Sequence, residues 1–218
     1  MKDYRATLKR VGLALVAFGL ADIALMIYCI LQDQSYSSSF NIFSVIAGVF
    51  LMRGSLGAAR LITWFSAFML TGFIGVIFLI FPFLQPIDLL VAQAKFDPVW
   101  FIALWLIAAA VLILLCWTYQ QLRSSSVLAA LQKSGRSTAT PRLAIGLGIA
   151  LVAVLVVALN MTLKGAAGDK AIELARQKLG PGYSYATQSI QWSGGHSSAV
   201  VAAYNDREIK YVSVEWSE

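Results

Sequence analysis

The sequence predicts a membrane protein, an all-α bundle of about five transmembrane helices followed by a small C-terminal α+β module. Three observations favour this fold class. Of the 218 residues, 59% are hydrophobic and 13% are charged, whereas soluble domains average about 45–50% and about 25%. The mean hydropathy is +0.73. Charge is concentrated from Lys164 onward, where six Lys/Arg and six Asp/Glu occur. These values exclude a soluble single-domain enzyme, a disordered chain and a basic nucleic-acid-binding protein.

Five apolar stretches account for the predicted bundle. A helix needs about 20 apolar residues to cross a hydrocarbon core of about 30 Å. The predicted spans cover about 11–31, 40–57, 61–81, 99–119 and 143–163. Asp97-Pro98 and Thr140-Pro141 begin the last two spans, because an N-cap residue followed by proline at the first helical position is a helix start signal.

The basic residues of the short loops predict the orientation, since Lys and Arg accumulate on the cytoplasmic side. Five crossings put ten of them inside and only Lys95 in the short outer loops. If the segment Phe40–Met52 only dips in and returns, the counts become five inside and six outside. We therefore predict a cytoplasmic N-terminus (1–10), a membrane domain (11–163) and an extracytoplasmic module (164–218), in the inner (plasma) membrane of a bacterium.

The tail is predicted to fold as a helix followed by a three-stranded antiparallel meander, an αβββ order. Asp169 can cap a helix that runs to about Leu179, where Gly180-Pro181 stops it. Three strand-like runs follow, separated by Gly194-Gly195 and Asn205-Asp206, at 183–192, 197–204 and 209–216. In the last run, Val212, Val214 and Trp216 share one face, and Tyr211, Ser213 and Glu215 share the other.

A module of about 50 residues without disulfides or metal rarely supplies enough core to be stable alone. It is therefore expected to lean on the membrane domain, another copy of the chain or a different protein. Its outer strands offer backbone edges to which a further strand can be added. We predict that the tail strands bind the partner through Tyr204, Tyr211 and Trp216. The alternative is a cap that packs on the helices of its own chain.

No residue pattern predicts catalysis, a metal site or a cofactor. The one histidine, His196, follows a turn in the tail and lies outside the spans, and Cys29 and Cys116 do not form a C-x-x-C pair. Phosphate-binding loops and nucleophile elbows are also missing from the sequence. The expected partners are the lipid bilayer and a membrane or periplasmic protein, or a second copy of the chain, with no nucleic acid.

Asp22 is the polar residue that stands out, because it lies near the middle of the first span. A carboxylate there costs about 2.5–3.5 kcal/mol on insertion scales, so it should face a partner. We predict an intramembrane pair with Arg53, which requires the second helix to continue past Arg53 to about Gly57. Alternatively, Arg53 snorkels to the interface, Asp22 pairs with another membrane protein, or Asp22 relays protons or cations.

Two functions from different classes follow. The first is a non-enzymatic multi-pass protein whose outer module binds a protein partner, as an accessory or assembly subunit of a membrane complex or as a membrane immunity protein. The rival is a small proton- or ion-coupled transporter built around Asp22, although an internal repeat, typical of transporters, is not visible.

Overall fold

The computed structural model describes residues 3–32 and 41–217. The chain is mostly helical and ends in one three-stranded antiparallel sheet. The α-helices are Tyr4–Leu31 (α1), Asn41–Met52 (α2), Leu56–Gly75 (α3), Phe81–Leu84 (α4), Ile87–Phe96 (α5), Pro98–Leu122 (α6), Ser125–Lys133 (α7), Arg142–Leu163 (α8) and Ala166–Leu179 (α9). The strands are Ser184–Ser193 (β1), His196–Tyr204 (β2) and Ile209–Ser217 (β3). Three residues used in the predictions lie outside the described residues. Phe40 begins the second predicted span, Lys2 contributes to the loop charges and Glu218 ends the predicted C-terminal module.

Within the described ranges, four helical runs are long and apolar enough to cross a membrane. They are Tyr4–Leu31, Leu56–Leu84, Pro98–Leu122 and Arg142–Leu163, and they coincide with four of the five predicted spans. The run Leu56–Leu84 includes a π-helical turn, Val76–Ile80, in which the Phe81 N–H bonds the Val76 carbonyl. Pro82 follows directly and has no N–H to donate, so the widened turn lies where proline disturbs the regular helix.

The second predicted span is the one that differs, since α2 ends at Met52 and not near Gly57. The Gly54 N–H bonds the Leu51 carbonyl at 2.8 Å, and Gly54 has φ +77°, a conformation that favours glycine and ends a helix. The Ser55 Oγ then accepts the Ala58 N–H at 3.2 Å and caps α3. Arg53 therefore lies in a turn between two helices.

The chain forms two compact units, and the first comprises Met1–Leu70 with Ile113–Gly146. A side chain on Gly12 would meet Gly48 and Met52, whereas one on Gly48 would meet Gly12 and Val16. α1 and α2 therefore run antiparallel with their backbones in contact at Gly12 and Gly48. Around this contact, α1, α2, α3, α6 and α7 share a core of Leu8, Val11, Leu15, Leu51, Ala59, Ile62, Leu122, Val127 and Leu131.

The second unit comprises Thr71–Leu112 with Leu147–Glu218 and contains the sheet, in the order β1-β2-β3. Both pairings are antiparallel, as the predicted meander requires. The β1–β2 register shifts between Thr187 and Ser189, whereas the β2–β3 register is continuous from His196↔Ser217 to Tyr204↔Ile209. α9 begins at Ala166, so Asp169 lies in its first turn instead of capping it.

Candidate functional site in the C-terminal module

One face of the sheet is covered by α9. Ala171 and Ala175 lie four residues apart, hence on one side of the helix, and both are fully buried. They pack against β2 and β3 through Ala199, Val201 and Val214. Val212 and Trp216 join the same cluster, so the face assignment predicted for β3 agrees with the structure.

The opposite face is covered by α5, a helix in a segment that is predicted to be a loop. Leu89 and Ala92, three residues apart on α5, pack against Ala186, Ala202 and Tyr204. Asp88 in the first turn and Lys95 in the last turn complement the helix dipole. This charge pattern is the sequence signal from which the helix could have been predicted. The sheet is thus enclosed between two helices of its own chain.

Polar contacts attach α5 to the strand ends. Lys95 Nζ donates to the Asp206 carbonyl oxygen at 2.8 Å, and Gln93 Nε2 donates to Tyr211 Oη at 3.4 Å. Burial of its phenol against α5 raises the pKa of Tyr204, and the nearby Asp88 carboxylate raises it further. These contacts fix α5 against the sheet within the second unit, and the alternative of a cap packed on its own helices stays a prediction.

The three predicted partner-binding side chains differ in accessibility. Tyr204 is 7% exposed because α5 lies over it. Trp216 is half-buried in the α9 layer, and Lys170 Nζ lies 5.8 Å from the centre of its ring. Tyr211 is 56% exposed. Of these three, Tyr211 alone presents most of its side chain to a partner.

The backbone edges of the sheet belong to β1 and β3. β1 is irregular, because the register shift leaves Gln188 without a Cα partner, and bulges of this kind disfavour further pairing. β3 is regular over nine residues. Lys178 of α9 reaches over it, and Lys178 Nζ donates to the Ser213 carbonyl oxygen at 2.9 Å. β3 is therefore the better template for an added strand, with one carbonyl guarded by a lysine.

A charged cluster closes the sheet at the start of β3. Tyr183 Oη donates to Glu208 Oε1, and Lys210 Nζ donates to the same oxygen at 2.6 Å and to Tyr183 Oη at 3.0 Å. The hydrogen bonds from Lys210 and then from Tyr183 hold the pKa of Glu208 below its ordinary value of 4.5. The Glu208 contact raises the pKa of Lys210 from 10.5 to about 12.

This cluster predicts an acid-sensitive contribution to stability. A carboxylate whose pKa is lowered by folding stabilises the folded state at pH values above its ordinary pKa. This contribution is lost as the pH falls through the lowered pKa. Glu208→Gln should therefore flatten the fall of the thermal midpoint between pH about 6 and about 3. Lys210 contributes in full below pH 10.5, and its contribution is lost as the pH rises through about 12.

Glu215→Gln is the matched control, because Glu215 is an exposed carboxylate on β3, the strand that Glu208 precedes. Its pH profile should follow that of the unmodified protein. Identical profiles for Glu208→Gln and the unmodified protein would show that the cluster contributes nothing to stability.

The structure does not bring Asp22 and Arg53 together. Gly12 and Gly48 lie side by side in the antiparallel pair. Asp22 lies ten residues beyond Gly12 in one direction, and Arg53 lies five residues beyond Gly48 in the opposite direction. At 1.5 Å per residue their Cα atoms are about 20 Å apart along the helix axes, beyond the reach of the two side chains. Arg53 lies near the N-terminal end of α1, because the neighbouring Gly54 is beside Arg5. Asp22 is half-buried and makes an interaction of its own.

Three further residues can carry chemistry, one histidine and two cysteines. His196 is exposed at the start of β2, and Cys29 and Cys116 are free thiols. Among residues 3–32 and 41–217, no three His, Cys, Asp or Glu side chains are grouped so that they could hold a metal ion. Comparison of the chain with protein-family models, curated proteins and solved structures finds no match.

Proposed function

We propose that the chain is a non-enzymatic multi-pass inner-membrane protein whose extracytoplasmic module binds a protein partner. It would serve as an accessory or assembly subunit of a membrane complex, or as an immunity protein against a toxin that acts from outside. One observation carries the proposal. β3 is a regular edge strand beside an exposed tyrosine, on a sheet whose two faces are already covered by α5 and α9.

The four long apolar helices are compatible with a membrane location, and the packing of the first unit supports the proposed orientation. α2 returns antiparallel along α1, so that Gly54 lies beside Arg5. α7 also contacts the start of α1, because Val127 and Leu131 share a core with Leu8. The basic segments predicted as cytoplasmic therefore meet at one end of this unit. The N-terminus and the segment 53–60 lie at the same end, as expected if the chain crosses the membrane an even number of times between them, in α1 and α2.

Recognition would proceed by strand addition. An extended partner segment pairs its main chain with the edge of β3, and the exposed side chains beside the edge select the sequence. Lys178 Nζ must release the Ser213 carbonyl oxygen when the partner strand docks. Lysines on sheet edges hinder indiscriminate pairing, so this contact limits pairing to segments that compensate for its loss.

Tyr211→Ala in the full-length protein should reduce the amount of co-purified partner by roughly 30-fold, because aromatic anchors at interfaces contribute about 2 kcal/mol or more. The measurement is a mild-detergent pull-down of the tagged protein, quantified by mass spectrometry. Trp192→Ala is the matched control, since Trp192 is 54% exposed but lies on β1, the other edge strand. It should retain the partner.

Point substitutions test this proposal better than removal of the tail, because deleting 164–218 would also uncover the apolar side of α5. A partner lost with Trp192→Ala and kept with Tyr211→Ala would contradict docking at β3. A single species without any stoichiometric partner would refute the binding function. Asp22→Asn tests the transporter alternative, since it should abolish proton flux only if Asp22 relays protons.

A further inference from the structure

We infer that the first unit contains a binding site for the phosphate headgroup of an anionic phospholipid. A cavity of about 690 Å³ opens between α3, α6, α7, the 134–141 loop and the start of α8. Arg60, Arg123 and Arg142 line it together with apolar side chains. This inference rests on the membrane location proposed above and goes beyond the partner-binding function, because it concerns the other compact unit.

The charge around the cavity is one-sided. The segments 53–60 and 120–142 contain six Lys/Arg and no Asp or Glu. The exposed guanidinium groups of Arg60 and Arg142 make neither an ion pair nor a hydrogen bond within the described residues. Cations that line one cavity without a carboxylate partner favour an anionic ligand, and guanidinium groups match phosphate oxygens in geometry.

The Arg123 guanidinium group is hydrogen-bonded within the wall of the cavity. Its Nη1 donates to the Ala139 carbonyl oxygen at 3.3 Å, and its Nη2 donates to Thr140 Oγ1 at 3.4 Å. The guanidinium also lies 5.9 Å from the centre of the Tyr119 ring. These contacts hold the 134–141 loop, which directly precedes Arg142 at the start of α8, against α6. Arg60 and Arg142 do not take part in these contacts, so their side chains remain available to a ligand.

The apolar part of the lining selects a lipid over free phosphate. Leu61 is 68% exposed and Leu143 is 67% exposed, and Trp64 lines the same cavity. Leu61 and Leu143 lie within the first two turns of two helices that can cross a membrane, where a headgroup would meet the arginines and acyl chains would meet the leucines. Basic pockets between transmembrane helices on the cytoplasmic side bind anionic headgroups in this way.

The test uses the full-length protein in detergent, after its recovery in the membrane fraction has been checked by carbonate extraction. Binding of phosphatidylglycerol, phosphatidylcholine and inorganic phosphate is measured separately by native mass spectrometry and by the shift of the thermal midpoint. Phosphatidylglycerol should bind more tightly than phosphatidylcholine, and inorganic phosphate alone should bind far more weakly. Each basic group near an anionic lipid contributes about a fivefold factor in affinity. Arg60→Gln combined with Arg142→Gln should therefore weaken phosphatidylglycerol binding roughly 25-fold.

Arg10→Gln combined with Arg53→Gln is the matched control, because it removes the same charge from this unit outside the cavity lining. It should change the affinity by less than about threefold. If the glutamine pair does not fold, Arg60→Lys combined with Arg142→Lys keeps the charge and should retain most of the binding. Equal losses in the glutamine pair and in the control would overturn the site, as would equal affinity for the two lipids or phosphate binding without a further gain from lipid. Extraction by carbonate would refute the membrane location itself, and the inferred site with it.

Discussion

Gly12→Leu is expected to separate α1 from α2 and to destabilise the first unit by about 3 kcal/mol. A Cβ atom at Gly12 would lie 2.5 Å from the Gly48 carbonyl oxygen and 2.7 Å from Met52 Cγ. The obstacle is backbone, so rotation of a side chain cannot relieve it. The free energy of unfolding in detergent, together with the elution profile of the fluorescently tagged protein, measures the effect.

Gly72→Ala provides the matched control, because nothing lies within 4 Å of the added methyl group. Alanine there should be neutral or stabilise the protein by up to about 1 kcal/mol, since it is the better helix former. If Gly12→Leu has the stability of the unmodified protein, the close approach of the two backbones does not hold the unit together.

Leu89→Ala is expected to destabilise the C-terminal module by about 3 kcal/mol, within the usual range for a buried leucine. Leu89 is fully buried between α5 and the sheet. Its loss leaves a cavity against Ala202 and Tyr204 and loosens the layer that covers them. Hydrogen exchange of the β1–β3 amides in the full-length protein measures this opening, which should accelerate in all three strands.

Val91→Ala tests whether the effect comes from the buried side of α5. Val91 is 61% exposed on the same helix, so its truncation should change stability by less than about 0.5 kcal/mol. Equal acceleration of exchange in both variants would mean that helix propensity, not contact with the sheet, determines stability. Unchanged exchange in Leu89→Ala would show that the sheet does not depend on α5.

The strands could be predicted to within about one residue because local turn chemistry bounds them. Gly194 and Gly195 both adopt positive φ and link β1 to β2. Asn205 Oδ1 accepts the N–H groups of Arg207 and Glu208 and turns the chain between β2 and β3. Alternation of apolar residues then fixed which side of β3 faces the core. These signals are local and need no knowledge of the rest of the fold.

The position of α5 on the sheet could not be predicted, because it depends on contacts between distant segments. α5 meets β2 more than 100 residues later in the chain, as in the cluster of Leu89 with Ala202, and no local pattern encodes that pairing. The predicted Asp22–Arg53 pair does not form for a related reason, because it requires the second helix to continue to about Gly57, whereas α2 ends at Met52. The contact between Gly12 and Gly48 sets a different register, and hydropathy alone does not report it.

The position of α5 in the chain imposes an order on biosynthesis. The helix is completed at Phe96, whereas the strand it covers last, β3, ends at Ser217. At about 5–20 residues per second, its apolar side waits on the order of ten seconds for the sheet to be synthesised. Every product truncated between these two points carries an uncovered apolar surface. Such a surface is what holdases and quality-control proteases recognise, so incomplete chains should be cleared faster than complete ones.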